Sequence, residues 1–151
     1  MYHTILFPTD GSDNALQALD HAFDIARTYD ATVHALAVVS TDYPYSDVGG
    51  VAVDWGPVID AAQEDCERAV AEVEPRASDA GVECVGAVRE GETAASEILA
   101  YAEENGIDLI VMGTHGRRGL NRWLLGSVTE RIVRTADVPV LTVRAESATE
   151  G

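Results

Sequence analysis

The sequence predicts an α/β protein: one domain with an open parallel sheet and helices on both faces. Short apolar runs alternate with stretches of helical spacing, four times over, and a fifth apolar run closes the chain. The turns that follow the first and fourth runs carry Gly, Ser and Asp, the residue types that open helices and approach ligands closely. At 151 residues, 46% hydrophobic and 24% charged, the chain has the size and composition of one globular domain. The domain is expected to span 1–145, with 146–151 a polar tail.

The first strand is Thr4-Ile5-Leu6-Phe7-Pro8, ending in Thr9-Asp10-Gly11-Ser12. Ser12 is placed to cap a helix, with Asp13 at the positive end of its dipole, and Leu16, Leu19, Phe23 and Ala26 recur at helical spacing up to about Tyr29. A second strand covers 32–39. The connection 41–56 is long and rich in Asp, Gly, Pro and Tyr. With Tyr43, Tyr45 and Trp55 it reads either as a lid over a ligand or as a surface loop. Helical spacing resumes at Pro57 and runs to about Ala80, where Pro75 predicts a kink or stop near Glu74. A third strand is expected over 82–88. Thr93 then caps a helix to about Glu104, which Asn105-Gly106 ends. The fourth strand, Leu109-Ile110-Val111-Met112, leads into a loop with glycines at 113, 116, 119 and 126. A helix over 127–135 and a last strand over 138–143 complete the chain.

In an open parallel sheet, ligands sit outside the carboxyl ends of the strands, where the strand order reverses. Three loops leave such ends: Pro8 to Ser12, Val38 to Ser40, and Gly113 to Ser127. Gly113 and Gly116, then Gly126, let backbone amides approach a phosphate without a side-chain clash. Ser127 adds a hydroxyl, and Val128 and Thr129 add amides at a helix N-terminus. Five of the ten Arg residues (Arg117, Arg118, Arg122, Arg131, Arg134) lie in or just after this stretch. Local positive charge favours an anionic ligand; Arg131 and Arg134 are expected to pair with Glu130 or surface acids instead. Asp10 reads equally as a partner for a sugar or base and as a helix cap. Val38 and Met112 read as core residues that also border a base. The residues alone reach a phosphate-containing ligand at the switch point.

Charge narrows the chemistry. Lys plus Arg total 10 against 26 Asp plus Glu, a formal net charge of -16, and every one of the ten basic residues is Arg. A chain without Lys is not a P-loop, pyridoxal or protein-kinase enzyme, each of which needs one. So acidic a surface repels the phosphate backbone of nucleic acids. It suits concentrated salt, where screening shortens the reach of like charges. Cys66 and Cys84 have no metal-ligand spacing and read as buried free thiols. No apolar run approaches the ~20 residues of a membrane span, and the first residues lack a secretion-signal pattern, so a cytoplasmic location is expected.

Three motifs, Pro8-Thr9-Asp10-Gly11-Ser12, the segment from Asp108 to Gly116, and Leu125-Gly126-Ser127-Val128-Thr129-Glu130, resemble those of the universal stress protein family in its ATP-binding branch. Val138-Pro139-Val140-Leu141 closes the chain as that family does. The resemblance implies a Rossmann-like sheet of the adenine nucleotide alpha hydrolase type, strand order 3-2-1-4-5, and a homodimer built through the last strand. It implies ATP as ligand, with Mg2+ held mainly by the phosphates. Asp10 would meet the nucleoside end and Val38 the adenine through its backbone. Gly113, Gly116, Gly126, Ser127 and Val128 would hold ribose and phosphates, with Met112 packed nearby and Pro8, Thr9, Arg117 and Thr129 bordering the site. Pro75 and the 41–56 connection depart from the family pattern. A nucleotide-sensing regulatory module is the leading expectation. A slow ATP hydrolase would need a base, for which His115 is the sole candidate. A nucleotide-free, chaperone-like interaction protein would have a disrupted glycine loop, and this loop is intact.

Overall fold

The computed structural model describes residues 1–41, 54–114 and 126–144, together with the backbone of 47–48 and 51–52. The elements run β1 (Thr4–Pro8), α1 (Asp13–Tyr29), β2 (Thr32–Ser40), β3 (Asp47–Val48), β4 (Val51–Ala52), α2 (Gly56–Ala71), α3 (Val73–Ala80), β5 (Cys84–Gly91), α4 (Ala94–Glu104), β6 (Leu109–Gly113), α5 (Ser127–Thr135) and β7 (Val140–Val143). Five strands form one parallel sheet in the order β5-β2-β1-β6-β7, which is 3-2-1-4-5 when those five are counted along the chain. The connections move outward from β1 through β2 to β5, then cross to β6 and move the other way. The order therefore reverses between β1 and β6.

Alternation along each strand builds two cores. Ile5, Phe7, Val33, Ala35, Leu109 and Val111 face Leu19, Ala22 and Phe23 of α1 and Val73 and Ala77 of α3. Leu6, Leu36, Ile110 and Met112 face the other way, onto Ile98 and Tyr101 of α4 and Ile132 of α5. Because both faces are covered, the central strands are largely apolar, His34 of β2 being a polar exception.

Several boundaries differ from expectation: β2 runs on to Ser40 and β5 to Gly91, and the others have local reasons. The long helix breaks at Glu72 rather than near Glu74, because Pro75, third in α3, has no N–H for the Ala71 carbonyl. Val82 belongs to the helix stop, not to a strand. Its N–H donates to Ala77 O at 2.9 Å just after Gly81 turns left-handed, so β5 starts at Cys84. Pairing of the last strand begins when Ile110 N–H donates to Pro139 O at 3.0 Å; Pro139 itself has no donor, and β7 starts at Val140. Within the expected 41–56 loop, β3 and β4 pair antiparallel, Asp47 opposite Ala52 and Val48 opposite Val51. Tyr43 and Tyr45 lie outside the described residues. Cys66 and Cys84 form no disulfide and are half-buried rather than buried, and burial followed by the Glu74 carboxylate pushes the Cys84 thiol up.

Candidate functional site

The carboxyl end of β1 turns tightly. Thr9 N–H still bonds to Leu36 O of β2 at 2.9 Å, and the chain then leaves the sheet through Gly11, whose φ of 78° suits glycine. The buried Thr9 hydroxyl accepts from Gly11 N–H at 3.1 Å. Asp10 accepts from Ser12 N–H at 2.9 Å through Oδ1, and Ser12 Oγ accepts from Ala15 N–H at 3.3 Å. Ser12 is thus the cap of α1, as its spacing predicts, while Asp10 is exposed and braces the turn beside it.

Across the switch point, β6 ends at Gly113. Ile110 N–H and Thr114 N–H both donate towards β7, the latter to Val143 O at 3.1 Å, so by alternation the Gly113 N–H faces β1. A Cβ on Gly113 would lie 2.7 Å from Asn14 Nδ2 and 3.1 Å from the Asn14 carbonyl. Glycine is required here because β6 passes closely under the first turn of α1, a reason independent of any ligand.

The N-terminus of α5 is docked onto this strand end by two hydrogen bonds. Gly126 N–H donates to Thr114 O at 2.7 Å, and the Thr129 hydroxyl donates to Gly113 O at 2.9 Å. The helical ladder starts with Glu130 N–H on Gly126 O at 2.9 Å. The amides of Ser127, Val128 and Thr129 precede it, at the positive end of the dipole. Gly126 is the N-cap and supplies no side-chain hydrogen bond, whereas Ser12 caps α1 and Thr93 caps α4. Ser127 is exposed and Thr129 is 4% exposed.

The sequence-predicted residues separate accordingly. Pro8 at the end of β1 with Thr9 and Asp10 just after it, Gly113 at the end of β6, and the N-cap Gly126 with Ser127 to Thr129 of α5 lie at the carboxyl ends of the two strands between which the order reverses. Met112 is a core residue on the α4 and α5 side, and Val38, half-buried, packs against the same cluster from β2. Gly116, Arg117 and the candidate base His115 lie outside the described residues, as do Arg118 and Arg122. Arg134 pairs with Glu130 as expected, but Arg131 donates to Thr93 Oγ1 at 3.3 Å and so bridges α5 to the cap of α4. Asn14 and Thr114 join the site without having been singled out. Asn14 meets Gly113 only through tertiary packing, and one threonine after a strand carries no distinguishing signal.

A second polar cluster lies away from this site, between the sheet and α4. His34 Nδ1 is 2.7 Å from Tyr101 Oη, and the Arg89 guanidinium stacks 4.8 Å from the centre of the Tyr101 ring while pairing with Glu97 and Glu104. Burial holds His34 below its ordinary pKa and Tyr101 above its own. A shallow cleft of about 230 Å³ lies elsewhere again, between α2, the start of α3 and β5.

The universal stress protein family model matches residues 1–144. Universal stress protein MJ0531 of Methanocaldococcus jannaschii is 40% identical over 144 residues, 95% of this chain and 83% of that one. The structure of protein MJ0577, from the same organism, superposes with a TM-score of 0.81 at 29% identity, covering 98% of this chain and 99% of the other. A universal stress protein crystallised in complex with cAMP superposes with a TM-score of 0.67 at 25% identity, covering 95% and 97%. Motifs, strand order and relatives agree: the chain belongs to the universal stress protein family.

Proposed function

We propose that this protein binds ATP in the crevice between β1 and β6 and acts as a nucleotide-sensing regulatory module. The observation that carries this is the N-terminus of α5. Three amides precede its helical ladder, its cap is a glycine with no side chain to satisfy them, and it is docked onto the end of β6, the strand that pairs with β1. An anion is the natural complement to such a terminus. A related protein crystallised with cAMP supports a nucleotide as that anion. In this reading Asp10 and the Val38 backbone take the nucleoside end. Gly113, Gly116, Gly126, Ser127, Val128 and Arg117 take ribose and phosphates, and Pro8, Thr9, Met112 and Thr129 border them. Mg2+ is held mainly by the phosphates. The proposal includes no catalytic residue.

The proposal extends to a homodimer through β7, an edge strand whose Leu141 is 36% exposed, with Val133 of α5 47% exposed. Sedimentation at several concentrations checks it. Leu141→Arg is expected to yield monomer, and an unchanged dimer would refute the β7 contact. The protein is further read as a salt-adapted cytoplasmic one without nucleic-acid partners, in keeping with its charge of -16. No helix among the described residues is long and apolar enough to cross a membrane.

Equilibrium dialysis with labelled ATP tests the site, using wild type and Ser127→Pro. Proline at the first helical position preserves α5 but deletes the Ser127 amide and hydroxyl. The Gly126 backbone, φ -61° and ψ 154°, already has the conformation that precedes proline. Wild type is expected to bind and Ser127→Pro to lose most of its affinity. Wild type without affinity, or a variant that binds equally well, would reject the assignment.

A further inference from the structure

We infer that Thr129 is a positioning residue that sets the reach of the α5 amides to the terminal phosphates, and that its own hydroxyl takes no part in holding ligand. This deepens the ATP reading and rests on it. Thr129 is 4% exposed, and its Oγ1 donates to the Gly113 carbonyl at 2.9 Å, across 16 residues of sequence. The hydroxyl proton is therefore committed to a main-chain oxygen at the end of β6. The second tie, Gly126 N–H to Thr114 O at 2.7 Å, fixes the residue that precedes the helix. Thr114 is itself anchored, its N–H donating to Val143 O at 3.1 Å.

Two bonds donated from positions three residues apart at the start of α5, and accepted by the neighbouring carbonyls of Gly113 and Thr114 at the end of β6, oppose both sliding and rotation of the helix start. Without the Thr129 bond the first turn of α5 is tied to β6 only at Gly126 and can pivot there, while buried Ile132 and the Arg131 bond to Thr93 hold the later turns. Amide donors at a helix terminus act within one turn, and a binding constellation works only when held to ~0.5 Å. A pivot about Gly126 moves the Ser127 and Val128 amides relative to Gly113, whose own N–H faces β1. It leaves the β1 turn and the end of β2 in place, because Thr9 and Asp10 are braced by bonds of their own. The phosphate end of a nucleotide would lose its fit while the nucleoside end kept it.

The experiment compares ATP and adenosine affinities by calorimetry for wild type, Thr129→Val and Thr129→Ser, with ligand-free 1H–15N amide spectra of each. Thr129→Val keeps the branched shape without the donor and leaves the buried Gly113 carbonyl without that bond; its ATP affinity is expected to fall about tenfold. Adenosine affinity should stay within about twofold of wild type, and Thr129→Ser should restore ATP binding, because serine keeps the hydroxyl that bonds to Gly113. The Ser127 and Val128 amide resonances should shift in Thr129→Val and return in Thr129→Ser. Unchanged ATP affinity in Thr129→Val, or equal losses for ATP and adenosine, would overturn the positioning role. If Thr129→Val does not fold, Thr129→Ala is read by the same split. If wild type binds no ATP, the nucleotide reading falls first. The spectra still decide the role of Thr129, since unmoved Ser127 and Val128 amides would refute the tie to Gly113.

Discussion

Substitution of Gly113 by alanine separates a packing role from a ligand role. Gly113 lies outside the left-handed region, so an alanine there has no backbone strain. Reducing the freedom of the unfolded chain would by itself stabilise by ~0.4–1 kcal/mol. Against this stands the new Cβ, 2.7 Å from Asn14 Nδ2, 3.0 Å from Asn14 Cγ and 3.1 Å from the Asn14 carbonyl. Overpacking of that kind typically costs ~1–3 kcal/mol, so the clash wins and Gly113→Ala is expected to be destabilising. At this chain length each kcal/mol moves the thermal midpoint by roughly 2–4 °C. Two of the three close contacts are to the Asn14 side chain, so Asn14→Ala should relieve most of the penalty. The double-mutant cycle is expected to show a favourable coupling of about 1 kcal/mol, measured by urea unfolding at one protein concentration. Additivity within ~0.3 kcal/mol would refute the close-approach account of this glycine. The same result would return the glycine to a purely ligand-driven explanation.

Other consequences are independent of that contact. Burial lowers the pKa of His34 below its ordinary 6.5. Between 6.5 and the lower folded value the unfolded chain binds a proton that the native protein does not. Stability should therefore decline as pH falls through that window and level off below it. His34→Gln should flatten this part of the profile, and an unaltered slope in that variant would disprove the assignment. Tyr101→Phe removes the 2.7 Å partner of His34 Nδ1 but keeps the ring under Arg89. It is expected to cost ~1–3 kcal/mol in urea unfolding, with no measurable loss counting against the bond. Thr93→Ala deletes the α4 cap, which accepts from Ser96 N–H at 3.2 Å, and should cost ~1 kcal/mol by thermal unfolding; a cost near zero would show that the cap contributes nothing. With a net charge of -16, the urea midpoint should rise from ~0.1 M to ~1 M KCl as the Debye length falls from ~10 Å to ~3 Å. A flat or falling midpoint would argue against salt adaptation.

Features governed by near neighbours in the chain were readable without the fold. The caps at Ser12 and Thr93 are bonds over three residues, and the stop at Asn105-Gly106 is a local turn. Strand-helix alternation sufficed for a parallel sheet, and the absence of Lys excluded whole classes of enzyme. Asp10, Gly113 and Ser127 were legible as candidate site residues because they follow strands or open a helix. Their partners were not. Asn14 meets Gly113 across 99 positions and His34 meets Tyr101 across 67, distances at which no periodicity operates. Only packing of α1 over β6 turns the glycine into a requirement, and only docking of α5 onto β6 commits the Thr129 hydroxyl to the strand. A sequence carries its local hydrogen bonds in its spacing, whereas contacts between elements exist only once the sheet has brought those elements together. The glycine spacing of the candidate site was therefore visible from the chain, and the docking of α5 and α1 onto β6 was decided by the tertiary structure.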